Sequence, residues 1–189
     1  YREIGKTLAT VFRWMEWRRS EQFFRVVATK DPLFEDVHYQ HAILKRYLGQ
    51  YKKAILLGEK QVALKSEIAS IRLGLFRLYY HYLDNKGTNE VLAWLQKQNS
   101  PTSRYFVGEA LRYKGEFVRA DSVLNTWIGS NPKVSVAPAF LSLARIAFQD
   151  FKPQIGEVQF WRAVDSIQDS LDAQLVYQGL WFTNLREAL

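Results

Sequence analysis

The feature that most constrains this 189-residue chain is a short motif that occurs twice. The segment GQYKKA, residues 49–54, recurs as GEFVRA, residues 115–120, and both copies read Gly-x-aromatic-x-x-Ala. Gly49 and Gly115 are 66 residues apart, which is two periods of 33. Helix–turn–helix units that repeat at roughly 34 residues stack into solenoids, and the usual role of a solenoid is to hold other proteins. The motif therefore predicts both a fold class and a class of function.

The composition excludes several other kinds of protein. Hydrophobic residues make up 48% of the chain and aromatic residues 15%, which excludes disorder. The absence of cysteine excludes disulfide scaffolds, thiol catalysis and cysteine-based zinc sites. The longest weakly polar stretch, residues 136–148, contains Arg145 and is far shorter than the ~20 apolar residues of a membrane helix. We therefore expect no membrane insertion.

Positive charge is concentrated in the first two thirds of the chain. The net charge is +7, with +8 carried by residues 1–126 and −1 by residues 127–189. The basic N-terminal two thirds is compatible with an anionic partner, but a solvated basic surface is the favoured explanation, because small basic domains are common and charge alone bears on solubility and association.

Apolar residues at helical spacing, together with glycine and proline stops, predict helices that come in antiparallel pairs. Connections as short as the one at Gly49 force the two helices to be neighbours. Ser20 and Thr88 are interpreted as helix caps. We expect about five pairs in one domain over residues 1–189, and a fragment of a longer protein because the chain begins at Tyr1. The predicted helical segments are 19–32, 35–49, 51–65, 68–83, 88–98, 103–115, 116–132, 137–148, 153–167 and 170–189.

These pairs resemble tetratricopeptide (TPR) repeats. In that family a small residue in the first helix is followed by a Gly-x-aromatic-x-x-Ala turn, and a proline closes the unit. The best-matching unit ends at Pro132, and its matching residues are Gly108, Gly115, Phe117, Ala120, Leu124 and Trp127. A second unit has Ala42, Gly49, Tyr51 and Ala54, but Gly58 and Gln61 stand where an aromatic residue and alanine are usual. The resemblance implies an all-α, right-handed α–α superhelix, a TPR-like solenoid of about five helix pairs with degenerate end units.

The remaining units depart further from the pattern. The turn in residues 84–89, DNKGTN, is irregular, and QDFKPQ, residues 149–154, replaces the last one. Several segments also resemble the repeat region that precedes the bacterial GWxTD domain, although the motif of that domain is absent from this chain. This second resemblance implies a bacterial protein in the periplasm or the cytoplasm, and the lack of cysteine is compatible with export.

The TPR resemblance also implies where a partner binds. In TPR solenoids, positions 5, 12 and 13 of each first helix line the concave groove. Carried over to this chain, the groove residues are Tyr39, Arg46, Tyr47, Arg72, Tyr79, Tyr80, Tyr105, Arg112 and Tyr113. Tyrosine offers rigid contact area with a polar tip, and arginine offers bidentate donors, which suits recognition. The alternative is that some of these tyrosines pack between repeats, and the residues alone leave both open.

No sequence motif indicates catalysis or a cofactor. Phosphate-binding glycine loops and the HExxH zinc motif are absent. His38 and His41 share a helix face and could hold a metal, but no second pair of ligands accompanies them, so we expect neither a metal nor a cofactor.

The leading hypothesis is a non-catalytic protein-interaction scaffold that grips a protein or peptide, with an acidic one favoured by the positive charge. Nucleic-acid or other polyanion binding through the basic N-terminal two thirds is the first alternative, less favoured because acids are interspersed among the basic residues. An accessory domain of a larger enzyme is the second. The partner's identity and the oligomeric state are left open.

Overall fold

The computed structural model describes residues 17–34, 36–65, 67–98, 100–131 and 135–168. In these ranges nine α-helices follow one another and no β-strand occurs. The helices are α1 (Trp17–Lys30), α2 (Val37–Tyr47), α3 (Tyr51–Leu64), α4 (Ala69–His81), α5 (Asn85–Lys97), α6 (Pro101–Tyr113), α7 (Phe117–Ser130), α8 (Ala137–Gln149) and α9 (Pro153–Asp165). The predicted all-α repeat fold is confirmed. None of the described helices has the length and apolarity needed to cross a membrane.

The contacts divide the chain into two compact units. Unit 1 is Tyr1–Trp94 and unit 2 is Leu95–Leu189, so the boundary falls inside α5. In unit 1, α1 packs on α2, α2 on α3, and α3 on α4. In unit 2, α6 packs on α7, α7 on α8, and α8 on α9. The expectation of one domain over residues 1–189 stays a prediction.

The two sequence motifs form the same turn. Gly49 and Gly115 have left-handed backbone angles, with φ of 71° and 77°. The N–H of Gly49 donates to the carbonyl of Arg46 at 3.0 Å, and the N–H of Gln50 donates to the carbonyl of Lys45 at 2.9 Å. This pair of bonds is the Schellman motif, which satisfies carbonyls at a helix end and needs a left-handed residue. Glycine suits that position because it has no Cβ to clash.

Two further turns have this geometry without glycine. Leu83 and Phe151 adopt φ of 61° and 56°, and each lies where the glycine lies in the other two turns. The N–H of Asp84 donates to the carbonyl of Tyr79 at 2.9 Å, as the motif requires. The irregular turns of the sequence are thus regular in structure, and the described chain has equivalent turns at residues 49, 83, 115 and 151.

Small residues allow the helices of each pair to cross closely. Ala42 and Ala54, on α2 and α3, are fully buried. On α6, a Cβ added at Gly108 would lie 2.7 Å from the Leu124 side chain of α7, so only glycine permits this approach. Ala120 is likewise fully buried on α7. These are the residues that the TPR resemblance assigns to the crossings.

Two predicted caps are wrong. Ser20 is buried within α1, which already includes Trp17, because its neighbours form a continuous helix. α5 begins at Asn85 rather than after Thr88, because the carboxylate of Asp84 accepts the N–H of Gly87 at 2.9 Å and so caps the helix. The predicted helix at residues 170–189 lies outside the described residues.

The turn at Leu83 provides a stability prediction. Leu83→Gly removes left-handed strain, and the leucine is 84% exposed, so little packing is lost. We expect the free energy of unfolding to rise by up to ~1 kcal/mol in urea titrations, because a left-handed L-residue costs about 1–2 kcal/mol. Gly49→Ala should lower it by about 1 kcal/mol, since no atom lies near its added Cβ and the cost is conformational.

The control is Leu56→Gly, which replaces an exposed leucine inside α3. Glycine in a helix interior costs ~1 kcal/mol, so this variant should be less stable than the parent. A loss of stability in Leu83→Gly equal to that of Leu56→Gly would show that the turn carries no strain.

Candidate partner-binding site

The shared turn gives a structural frame for comparing the first helices of the pairs. In α2, Arg46 and Tyr47 lie three and two residues before the left-handed residue. In α4, the same places belong to Tyr80 and His81. The sequence frame assigns them to Tyr79 and Tyr80, one residue too early, because this turn lacks the glycine that marks the others.

These four residues form a surface cluster on unit 1, called here the basic–aromatic cluster: Arg46, Tyr47, Tyr80 and His81. Tyr47 is 57% exposed, and the guanidinium of Arg46 lies 5.0 Å from the centre of its ring. The rings of Tyr80 and His81 meet edge to face at 5.8 Å. Desolvation lowers the pKa of His81, and the positive charges of Arg46 and Arg77 lower it further. The cluster therefore combines aromatic surface with local positive potential.

The other two tyrosines predicted for unit 1 are held by neighbouring helices. The ring of Tyr39 covers Gly74 of α4, where any Cβ would collide with it. The ring of Tyr79 covers Gly87 of α5, and its hydroxyl donates to a carboxylate oxygen of Glu59 at 2.8 Å. Both rings are half-buried. These contacts agree with the alternative in which some of the tyrosines pack between repeats.

Arg72 connects α4 to α5. Its guanidinium lies 4.0 Å from the centre of the Trp94 ring, a close cation–π contact. Burial lowers the pKa of Arg72, and the negative charge of Glu67 opposes that shift. The arginine is half-buried, so much of its surface is engaged within unit 1.

In unit 2, Tyr105 is half-buried between helices. Its ring lies 5.5 Å from that of Trp127, and its hydroxyl lies 3.3 Å from the hydroxyl of Ser142. The same hydroxyl donates to the carbonyl of Pro138 at 3.5 Å. Tyr105 therefore links α6 to both α7 and α8.

Arg112 occupies the place of Arg46 but has a different environment. It is 6% exposed and donates to both carboxylate oxygens of Glu109, at 3.0 and 3.1 Å. It also donates to Gln149 of α8 at 3.2 Å, and it lies 4.4 Å from the centre of the Tyr113 ring. The expectation of an exposed Arg112 facing the same concavity as Arg46 is wrong in respect of exposure, because α8 covers the side chain. Its role in partner binding stays a prediction.

His38 and His41 are buried side chains of α2. His38 is 1% exposed, and burial, followed by the charge of Lys60, lowers its pKa. Burial lowers the pKa of His41 to about 4, and its ring stacks on Phe24 at 5.8 Å. Nearby, Lys45 and Glu21 form a 2.7 Å ion pair. In the described part of the chain, no three His, Cys, Asp or Glu side chains group together as a metal site.

Gln61 has a role that sequence reasoning missed. It is fully buried on α3, and its side-chain oxygen accepts the N–H of His38 at 3.0 Å and that of Tyr39 at 3.4 Å. It thereby caps the start of α2 from the neighbouring helix. Trp127, at the equivalent place in unit 2, donates its indole N–H to the carbonyl of Pro101 at 2.7 Å. The sequence signal for this role was the glutamine itself, which stands where the repeat pattern usually has alanine.

Comparison with solved structures agrees with this architecture. The chain is similar to TTC0263, a thermophilic TPR protein in Thermus thermophilus, with 16% identity, a TM-score of 0.62, and coverage of 95% of this chain and 96% of that one. It is also similar to the nearly identical TPR-like repeats of a Podosopora anserina protein described as a kinesin light chain, with 15% identity, a TM-score of 0.55, and coverage of 86% and 91%. No protein-family model and no curated protein matches the sequence. The chain thus has a TPR-like helical-repeat fold, and the GWxTD resemblance stays a prediction.

The buried histidines predict an acid-sensitive stability. Their folded pKa values lie below the ordinary value near 6.5, so the folded state resists protonation. Stability should be full above about pH 6.5 and fall by roughly 1–3 kcal/mol as the pH drops toward 4. Urea titrations across this range measure the loss.

The comparison variant is His41→Gln, which cannot gain a charge and should show a shallower loss. Glu21 affects the profile only below about pH 4.5, because Lys45 and Arg25 lower its carboxyl pKa and its stabilisation is lost only as that group protonates. Identical pH profiles for the parent and His41→Gln would contradict the assignment.

The two equivalent arginines should respond differently to truncation. Arg112→Ala removes the arginine that binds both carboxylate oxygens of the buried Glu109, which should cost about 3 kcal/mol, the low end of the range for breaking a buried pair, because Arg145 also interacts with Glu109. Arg46→Ala removes a half-buried side chain that has no carboxylate partner among the described residues and should change stability by ~0.5 kcal/mol at most. Thermal and urea unfolding provide the comparison, and Glu109→Gln/Arg112→Met should recover part of the Arg112→Ala loss. Equal stability of the two single variants would contradict the structural difference.

Proposed function

We propose that this protein is a non-catalytic protein-interaction scaffold whose basic–aromatic cluster binds an acidic segment of a partner protein. The observation that carries the proposal is the cluster itself: the half-buried Arg46 and the exposed Tyr47, Tyr80 and His81 occupy equivalent places on two first helices of unit 1. The TPR-like fold supports the general role, because stacked helix pairs present extended binding surfaces.

The chemistry of the cluster suits an acidic, partly apolar ligand. Exposed tyrosines supply large contact areas that lose little side-chain entropy on binding, and arginine supplies a planar pair of donors for a carboxylate. Positive charge attracts an acidic segment and fixes its orientation. Protonation of His81 would add to this potential, but desolvation and the charges of Arg46 and Arg77 lower its pKa, so protonation requires a pH below the ordinary histidine value near 6.5.

The remaining predicted site residues take a supporting part in the proposal. Tyr39 contacts α4, and Arg72 and Tyr79 contact α5, so these residues fix the helices that bear the cluster. Tyr105, Arg112 and Tyr113 belong to the equivalent region of unit 2, where Arg112 is buried. We therefore place the principal contacts on unit 1.

A fluorescein-labelled acidic peptide tests the proposal, with the sequence Glu-Glu-Leu-Glu-Glu-Phe-Glu-Glu-Leu-Glu and anisotropy as the readout. We expect Arg46→Ala/Tyr47→Ala to weaken binding by at least about tenfold, because truncation of hot-spot arginine or tyrosine costs ~2 kcal/mol. Its melting temperature should stay near that of the parent.

The matched control is Arg162→Ala, which removes an exposed arginine near the Phe140 ring in unit 2 and makes the same change in charge. Its affinity should stay within about twofold of the parent. Equal losses of affinity in both variants would show that the peptide responds only to the net charge of the protein. Tighter binding of a ten-nucleotide oligo-dT with a steep salt dependence would instead favour the polyanion function.

A further inference from the structure

A groove lies on unit 1, and none of the four residues of the basic–aromatic cluster lines it. It has a volume of about 490 Å³ and runs between α3 and α5 over the end of α4. Its walls belong to the second helices of two successive pairs, whereas the basic–aromatic cluster lies on the first helices. It is called here the acidic groove and is defined by Ile55, Leu56, Glu59, Tyr82, Asp84 and Glu90.

Apolar and aromatic side chains are open to solvent along this groove. Leu56 is 64% exposed and Tyr82 41% exposed. Tyr51 is 38% exposed, and its ring lies 6.3 Å from that of Tyr82 at an angle of 31°. A pair of exposed tyrosines beside an exposed leucine is a contact surface of the kind found in protein interfaces.

Three carboxylates (Glu59, Asp84 and Glu90) line the groove against two lysines, a small excess of negative charge that gives its floor a negative potential. Tyr79 lies there, and its hydroxyl donates to Glu59. Burial raises the pKa of Tyr79, and the charges of Glu59, Asp84 and Glu90 raise it further. The two lysines are Lys52 and Lys86, and Lys86, whose side chain is 88% exposed, lies 3.9 Å from Glu90 and partly offsets that carboxylate. The sign of this potential is opposite to the net charge of +7.

Leu83 adds an apolar contact next to the groove. It stands in the chain between Tyr82 and Asp84, is 84% exposed, and has a left-handed backbone. Glycine occupies the equivalent place in the turns at residues 49 and 115. An exposed leucine with a left-handed backbone lowers the stability of the fold, and residues with strained backbones are often found at functional sites.

We propose that the acidic groove docks a basic amphipathic segment of a partner protein, one in which lysine or arginine alternates with apolar side chains. The cationic side chains of such a segment would meet Glu59, Asp84 and Glu90, and its apolar side chains would meet Leu56, Tyr82 and Leu83. Unit 1 then has two docking surfaces of opposite charge. This inference does not depend on the acidic ligand proposed for the basic–aromatic cluster.

The probe is the labelled peptide Lys-Leu-Lys-Phe-Lys-Leu-Lys-Phe-Lys-Leu, followed by fluorescence anisotropy. Because the protein as a whole is positively charged, general electrostatic repulsion opposes binding of this basic peptide, and affinity has to arise locally. We expect Glu59→Gln/Glu90→Gln to weaken binding about tenfold, because the double variant removes two of the three carboxylates that would meet the cationic side chains of the peptide. The matched control is Glu157→Gln/Asp165→Asn, which makes the same change in charge on α9 and should bind nearly as the parent does.

Leu83→Gly gives a second, independent readout. It should bind the basic peptide several-fold more weakly while unfolding at higher urea concentration, a separation that a structural role alone would not produce. Arg46→Ala should leave binding of this peptide unchanged, which keeps this test separate from that of the proposed function. Equal losses in the two double variants, unchanged binding in Leu83→Gly, or no measurable binding by the parent protein would overturn the inference.

Discussion

The structure depends on one backbone arrangement, the left-handed turn that ends the first helix of a pair. It closes the helix with two hydrogen bonds and redirects the chain within a few residues into the next helix. Because it recurs at residues 49, 83, 115 and 151, it sets the register in which the helices of each pair pack. In each first helix, the residues two and three places before the left-handed residue occupy equivalent positions. The turn therefore determines which side chains of successive first helices can lie on one surface.

Equivalent positions in this frame have different physical roles. Arg46 has its guanidinium over an exposed tyrosine, whereas Arg112 is enclosed with Glu109 under a neighbouring helix. The difference does not come from the repeat motif, which is the same in both units. It comes from the following pair, because α8 provides Gln149 as a partner for Arg112. A repeat thus fixes where a side chain is placed, and the next repeat fixes whether it can reach a ligand.

The sequence was sufficient for the fold class because glycine and alanine mark the crossings and two of the turns. Gly49, Gly115 and the fully buried Ala54 and Ala120 had the roles that their spacing predicted. The turn at Leu83 could not be predicted in the same way, because a leucine gives no signal of a left-handed backbone.

That gap shifted the repeat frame in α4 by one residue, so the sequence assigned to Tyr79 and Tyr80 the places that belong to Tyr80 and His81. The burial of Arg112 could not be predicted from the sequence either. The helix that covers it, α8, comes two helices later in the chain, and no local pattern indicates that contact. The acidic groove was missed for a related reason. Its carboxylates come from α3, the turn after α4, and α5, and they are dispersed among basic residues in the sequence. Only the packing of the second helices brings them together.

The central claim is that the cluster of Arg46, Tyr47, Tyr80 and His81 receives the acidic ligand. Titration of the ¹⁵N-labelled protein with the acidic peptide, followed by ¹H–¹⁵N correlation spectra, tests it most directly. The account predicts that the largest shift changes fall on the backbone amides of these four residues and their immediate neighbours, with little change at Ile55 and Leu56 in the acidic groove. Largest changes in unit 2, or small changes spread evenly over the lysines and arginines of the whole chain, would contradict it.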